Sequence, residues 1–145
     1  MRPAAVIEDR NGCILDGGKQ GRGGDMELVM TSDEARAFAD EWIAAWNRHD
    51  LDRVLSHYAP DIVFLSPIAQ KVVGNGRVVG IAALRGYWEK ALAGQPQLKF
   101  ELLKVLLGHL CLTILYLNHR NQQVAETFEF GSDGKVVRSF ACYMQ

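Results

Sequence analysis

Strand patterns with no helix between them fill the last third of this chain and constrain its fold more than any other feature. Residues 98–107, 110–117, 124–130 and 136–143 are each rich in apolar residues at strand spacing. The turn signal in residues 131–134 separates the last two segments. Runs of strands that follow helices are typical of α+β domains. We therefore predict an α+β fold.

Two of these strand segments carry a further signal. In residues 98–107 the apolar positions alternate with polar ones and then slip by one residue at Leu102-Leu103, which predicts a β-bulge there. Residues 110–117 are apolar at nearly every position. That pattern predicts a strand buried on both faces.

Three helices are predicted upstream of these strands. The first begins at a capping box in residues 31–34, and its apolar residues recur at helical spacing through residues 35–46. Asp50 caps a second, shorter helix, whose apolar positions include Tyr58. The third helix spans residues 80–94.

Between the second and third helices the pattern favours strands. Residues 62–67 form a short apolar run closed by a proline, and two valine pairs at 72–73 and 78–79 flank the tight-turn signal Asn75-Gly76. The predicted element order is ααββαββββ, in one domain over residues 31–145.

The first thirty residues differ from the rest. Six of the chain's 14 glycines lie between Gly12 and Gly24, where few apolar groups could offset the entropy lost on ordering. We expect residues 1–30 to form a poorly structured extension, with Met26 or Met30 as an alternative start of the protein.

Composition excludes several classes of protein. The 145 residues are 48% hydrophobic and 23% charged, with a net charge of −1 and scattered basic residues, so no nucleic-acid partner is expected. No apolar run reaches the ~18 residues that span a membrane. The three widely spaced cysteines are expected to be reduced, small apolar residues in a cytoplasmic protein.

Metal and cofactor signals are weak. The four histidines have no ligand-type spacing and are expected at the surface. Residues 74–80 resemble a dinucleotide-binding loop, but the last glycine interval is one residue too long and no βαβ unit surrounds it. We expect neither a metal nor a cofactor.

Glu126 is the strongest candidate for chemistry. In the strand at residues 124–130, alternation places it on the same face as Val124, Phe128 and Phe130. A carboxyl group on an apolar face would have a raised pKa, which suits acid–base catalysis. Two alternatives remain: a position at the rim of the sheet, or an ion pair with a cation such as Arg85.

Aromatic residues could surround this carboxyl group. Tyr143 and Tyr116 would share its face if the last strands keep the expected register. A tyrosine hydroxyl there could orient the carboxyl group or polarise a substrate carbonyl; the alternative is a core tyrosine whose hydroxyl is satisfied within the protein. Trp42, Trp46 and Trp88 lie on the core-facing sides of helices, where they could pack or line a ligand site.

The order and spacing of these motifs resemble the SnoaL-like family of the nuclear-transport-factor-2-like superfamily. The resemblance spans about residues 31–143. The residues that carry it are 42–52, 58–64, Ser66-Pro67, Gly80 with Ala83-Leu84, and 126–130 followed by 133–137. The fold that the resemblance implies is a cystatin-like cone, a curved mixed sheet wrapped around three helices with a pocket between them. It also implies a homodimer through the outer face of the sheet.

The resemblance also bears on activity. The steroid isomerases of this superfamily carry an aspartate, a tyrosine and a second acid where this chain is expected to have Ser66, Trp42 and Glu126, so two of the three groups differ. Its epoxide hydrolases use paired aspartates, whereas Glu126 is the one pocket carboxyl group expected here. The polyketide cyclases, which use one acid–base carboxylate near the position of Glu126, are the better match.

The sequence thus predicts a protein that binds, and isomerises or cyclises, a small apolar ligand without a cofactor. Glu126 would be the acid–base group and Tyr143 would assist it. The expected ligand-binding residues are Trp42, Trp46, Tyr58, Phe64, Ser66, Trp88, Tyr116 and Phe128. The alternative is a non-catalytic binding or dimerisation module in which Glu126 is structural.

Overall fold

The computed structural model describes residues 30–145, which form four helices and six strands. In chain order these are α1 (Ser32–Asn47), α2 (Leu51–Leu55), β1 (Tyr58–Leu65), α3 (Pro67–Val73), β2 (Arg77–Val79), α4 (Ile81–Gly94), β3 (Glu101–Leu107), β4 (Cys111–Leu117), β5 (Gln123–Phe130) and β6 (Val136–Tyr143). The glycine-rich extension predicted for residues 1–30 lies outside the described residues, apart from Met30.

The six strands form one mixed sheet in the order β2-β1-β6-β5-β4-β3. Strands β3 to β6 are a continuous antiparallel meander, whereas β1 pairs in parallel with β6 and antiparallel with β2. The core lies between the inner face of this curved sheet and the helices. The predicted α+β architecture is confirmed.

Helix α1 begins where its sequence predicts. The backbone N–H of Glu34 donates to the Thr31 hydroxyl at 3.2 Å, and the Thr31 N–H donates to a Glu34 carboxylate oxygen at 3.4 Å, which completes the capping box. The apolar stripe that follows is buried, with Trp42 and Ala39 fully inaccessible. The side chain of Asp50 caps α2 in the same way, through the Arg53 N–H.

Helix α3 was not predicted. The valine pair at 72–73, expected to be extended, lies in its last turn. Pro67 closes β1 but also occupies the first helical position, where a missing N–H costs nothing, and the Ser66 hydroxyl accepts from the Ile68 N–H at 3.1 Å. Gly74 then ends the helix with a φ of 77°. The predicted order of elements is therefore wrong by one helix, because a proline at a strand end also marks a helix start.

Strand β1 begins earlier than predicted. Tyr58 was assigned to the second helix, but α2 ends at Leu55 and Tyr58 opens the strand. Pro60 is tolerated because the pairing of β1 with β6 shifts between Tyr58 and Val63, so that no ladder hydrogen bond is required there.

The predicted irregularity of β3 is confirmed, whereas the predicted burial of β4 is wrong. The pairing of β3 with β4 shifts between Leu102 and Lys104, as a bulge requires. In β4, Leu112, Ile114 and Tyr116 are buried, but the alternate residues are only half-buried, because no described element covers the outer face of the sheet.

Two cysteines lie within the described residues. Cys111 is half-buried and Cys142 is exposed, and neither forms a disulfide bond within residues 30–145. Both lie in strands, and Cys142 is on the outer face of the sheet opposite Ala125. Among the described helices, none combines the length and hydropathy of a membrane span.

Candidate functional site

A cavity of about 250 Å³ opens between the helices and the inner face of the sheet. Its inner wall is aromatic and includes Trp42, Trp46, Phe64, Tyr87, Trp88, Phe100, Tyr116 and Tyr143. Helix α3 and the turn at residues 118–122 supply polar and charged residues at the same cavity. Glu126 is its single acidic lining residue among the described residues.

The register of the sheet explains how Glu126 reaches this cavity. It lies in the middle strand of the meander, opposite Ile114 on β4 and Ala141 on β6. Paired residues of an antiparallel sheet share a face, so these side chains all point inward. Because Ala141 has only a methyl group, the β6 side of the carboxyl group is left open.

Tyr116 and Tyr143 share that face in the next row, where both pair with Val124. Each is a diagonal neighbour of Glu126, a separation that long aromatic side chains can bridge. The Tyr116 hydroxyl donates a hydrogen bond to Oε2 of Glu126 at 3.1 Å. The predicted register of the last strands is confirmed, and both tyrosines line the cavity.

The carboxyl group of Glu126 is buried and has no cationic partner among the described residues. The residue is 4% exposed, and Oε1 has no hydrogen-bond partner within residues 30–145. Neither alternative interpretation fits, because the residue is not at the rim and Arg85 pairs with Asp52 at 2.8 Å. Burial raises the pKa of Glu126 to about 8, although the hydrogen bond from Tyr116 opposes part of the rise.

A pKa near 8 sets the chemistry available at neutral pH. Most molecules then carry a protonated Glu126, which can donate a proton or a hydrogen bond, while a minority carry the carboxylate, which can accept a proton. The carboxyl group can therefore donate a proton or accept one near neutral pH.

The surrounding phenols remain protonated. Burial raises the pKa of Tyr87 to about 12, and it raises the pKa values of Tyr116 and Tyr143 as well, with the charge of Glu126 adding to each rise. The Ser66 hydroxyl near Tyr87 and Tyr143 opposes part of their rise. These phenols can therefore donate hydrogen bonds into the cavity but cannot act as bases near pH 7.

The three tryptophans line the cavity and also pack against one another. The rings of Trp46 and Trp88 meet edge to face with centroids 5.0 Å apart, and Trp42 contacts Trp46 at 6.0 Å. The Trp42 indole N–H donates to the Tyr58 hydroxyl at 3.0 Å. The indole N–H of Trp46 is buried with no hydrogen-bond partner within the described range.

Three predicted ligand-binding residues lie outside the cavity lining. Tyr58 is buried behind Trp42, and Phe128 packs edge to face against Trp42 at 5.3 Å. Ser66 is buried at the start of α3, where it caps the helix. The pattern identified these positions as inward-facing but could not separate core from cavity. The predicted Trp42, Trp46, Phe64, Trp88 and Tyr116 do line the cavity.

Sequence reasoning missed several lining residues. Tyr87 lies on the buried face of α4, one residue before the predicted Trp88, and could have been found from the helical period. Lys71, His119 and Arg120 lie on α3 and on the β4–β5 turn, for which the sequence offered no inward signal. His119, predicted at the surface, is partly exposed, but its two ring nitrogens are inaccessible and have no hydrogen-bond partner within residues 30–145.

Residues 30–145 contain no cluster of three or more histidine, cysteine or acidic side chains that could hold a metal ion.

Comparison with known proteins identifies the family. The family model of the SnoaL-like domain matches residues 39–139. A SnoaL-like protein of unknown function from Burkholderia thailandensis is 38% identical, covers 81% of this chain and 99% of its own, and superposes with a TM-score of 0.78. A search of curated proteins gives no match.

More distant structures share the fold. AclR from Streptomyces galilaeus, described as a proposed hydroxylase, is 25% identical over 79% of this chain and 91% of its own, with a TM-score of 0.63. TerC, crystallised with polyporic acid, is 14% identical over 76% and 92%, with a TM-score of 0.63. Other neighbours are described as cystatin-like and nuclear-transport-factor-2-like proteins, which confirms the predicted fold class. The chain belongs to the SnoaL-like domain family.

Proposed function

We propose that this protein binds a small, largely apolar ligand in its cavity and catalyses proton transfer on it, in an isomerisation or ring closure. Glu126 is the general acid–base group. The observation that carries the proposal is a buried carboxyl group at the cavity, with a pKa of about 8 and one oxygen that has no hydrogen-bond partner among residues 30–145.

The proposed reaction needs one carboxyl group and no cofactor. The ionised Glu126 takes a proton from a carbon beside a ligand carbonyl, the C–H electron pair enters the enolate, and a phenol such as Tyr143 donates a hydrogen bond to the enolate oxygen. The protonated Glu126 then returns the proton to a different carbon, or the enolate carbon closes a ring on a second carbonyl, whose oxygen takes the proton. No proton is gained or lost over the cycle.

The dimensions of the cavity suit a ligand of one or two rings. Its volume of about 250 Å³ is just below the ~300–1,000 Å³ of typical ligand pockets. Trp42, Trp46, Phe64 and Trp88 would contact the body of the ligand, and Tyr116 would hold the catalytic carboxyl group. The complex of TerC with polyporic acid supports small-molecule binding on this fold.

The test is deuterium exchange into the bicyclic ketone 2-tetralone, followed by NMR in D₂O. We expect the protein to accelerate exchange beside the carbonyl, and Glu126→Gln to slow the protein-dependent rate by roughly 100-fold or more. Glu129→Gln is the matched control, because Glu129 lies on the same strand but on the outer face, near Arg138.

Two outcomes would contradict the proposal. Exchange that survives in Glu126→Gln would show that another group moves the proton. Quenching of tryptophan fluorescence by the ketone without any accelerated exchange would favour the alternative, a binding module in which Glu126 only donates a hydrogen bond.

A homodimer and a cytoplasmic location are also part of this proposal. The outer face of the sheet carries Leu106, Leu115, Phe140 and Ala125, which are apolar and at least partly exposed. A second copy of that face would cover them. The two free cysteines, Cys111 and Cys142, support a reducing compartment, and fractionation of cells expressing the tagged protein tests the location.

A further inference from the structure

The cavity has an uneven distribution of charge that the proton-transfer proposal leaves unexplained. Lys71 on α3 and Arg120 in the β4–β5 turn both line it, and Glu126 is the only acidic lining residue in the described part of the chain. Because Glu126 is largely protonated at neutral pH, the lining carries two positive charges and almost no negative charge.

Neither of these two cations is neutralised by the described protein. Arg36, Arg53, Arg85 and Arg138 each form an ion pair with a carboxylate, but Lys71 and Arg120 form none with the described residues. Both residues are exposed, whereas the tryptophans and Glu126 are buried. The positive charge therefore lies at the mouth of the cavity and the acid at its inner end.

The turn that carries Arg120 is held in place by its own hydrogen bonds. The Asn118 side-chain oxygen accepts from the N–H groups of Arg120 and Gln122, at 3.0 Å each, and the Gln122 side chain donates to the Met144 carbonyl at 2.8 Å. His119, in the same turn, keeps two buried ring nitrogens without a partner in the described chain. The hydrogen bonds of the turn therefore hold Arg120 at the cavity, where its charge has no carboxylate partner among the described residues.

We infer that the ligand is an acid: a compact ring system with an anionic carboxylate that lies at the mouth with Lys71 and Arg120, and a carbonyl at the inner end near Glu126. This inference rests on the proposed function and adds the chemical class of the ligand. Positive charge at the mouth of an apolar cavity would attract such an anion and orient it with its ring inward.

The test compares two probes of the same shape, 1-naphthoate and its uncharged amide, 1-naphthamide. All three tryptophans of the chain line the cavity, so quenching of tryptophan fluorescence reports binding there. We expect naphthoate to bind at least about 10-fold more tightly than naphthamide, and only the affinity for naphthoate to fall as salt is raised.

Variants then assign the effect to the two cations. The double variant Lys71→Gln with Arg120→Gln is expected to reduce the affinity for naphthoate about 10-fold or more and to leave naphthamide binding within twofold. The control, Lys90→Gln with Arg77→Gln, removes the same charge from exposed residues that do not line the cavity, and should change neither affinity.

The outcomes separate the two proposals. Equal binding of both probes, or an equal loss of both in the cavity double variant, would overturn the inference of an acidic ligand and leave the proposed function standing. If neither probe quenches the tryptophans of the folded protein, the inference of an acidic ring ligand fails, and the exchange of 2-tetralone then decides the proposed function by itself.

Discussion

At the scale of single residues, burial raises the pKa of Glu126 and one hydrogen bond opposes part of that rise. The Tyr116 hydroxyl donates to Oε2, and this bond favours the ionised form of the carboxyl group against burial. Tyr116→Phe should therefore move the pKa of Glu126 above its value of about 8. NMR titration of the side-chain carboxyl carbons measures it, with Glu129 as the internal reference. An unchanged or lower pKa in the variant would show that the bond does not form.

The same residue makes stability depend on pH. Between the ordinary value of 4.5 and about 8, the folded protein holds the Glu126 proton and the unfolded chain has lost it. The free energy of unfolding therefore falls as pH rises through this window and levels off above it, at a total cost on the order of several kcal/mol.

Glu126→Gln should remove this dependence, because glutamine cannot ionise. We expect the variant to gain stability relative to the wild type from pH 5 to pH 9, as measured by urea denaturation. Glu129→Gln should show no comparable gain. Parallel stability curves for the wild type and Glu126→Gln would mean that the carboxyl group is not desolvated.

At the scale of elements, Asn47 joins the end of α1 to the segment that leads into β3. Its side-chain N–H donates to the Phe100 carbonyl at 2.9 Å, and its side-chain oxygen accepts from the Phe100 N–H at 2.7 Å. These two hydrogen bonds satisfy both backbone polar groups of Phe100, as a neighbouring strand would. They fix the position of Phe100, whose ring lines the cavity.

Asn47→Ala should cost about 2–3 kcal/mol of unfolding free energy, because it leaves both polar groups of the Phe100 backbone unsatisfied. Chemical denaturation measures the loss. Asn75→Ala is the control, since the Asn75 side chain accepts a single exposed hydrogen bond from the Arg77 N–H and should cost less than 1 kcal/mol. Equal costs at the two positions would show that Asn47 contributes no more than a turn residue.

Elements with a strong period were predictable from the sequence, whereas elements defined by their neighbours were not. The alternation in β5 correctly placed Glu126 inward, because a strand allows only two faces. Helix α3 was missed because Pro67 fits both a strand end and a helix start. Lys71 and Arg120 could not be assigned to the cavity, since their direction depends on how α3 and a turn pack against distant strands.

At the scale of the whole molecule, the uncovered outer face of the sheet predicts association. Alternate residues of β4 are only half-buried, and Leu106 on the neighbouring edge strand is 52% exposed. We expect a dimer at micromolar concentration in sedimentation velocity. Leu115→Glu should shift the protein to a monomer, because the substitution places a charge on that face, while Val73→Glu, at an exposed position on α3 away from the sheet face, should not. A monomeric wild type would contradict the prediction.

The parallel pairing of β1 with β6 has a consequence for the order of folding. Strands β3 to β6 are sequential hairpins that can form from local contacts, whereas β1 must find a partner near the other end of the described chain. The cavity is lined by residues of both strands, Phe64 of β1 and Tyr143 of β6, so its wall is complete only after β1 and β6 have paired. A bound ligand should therefore slow unfolding and leave the folding rate almost unchanged. The protein with ligand in its cavity would then stay folded for longer than the empty protein.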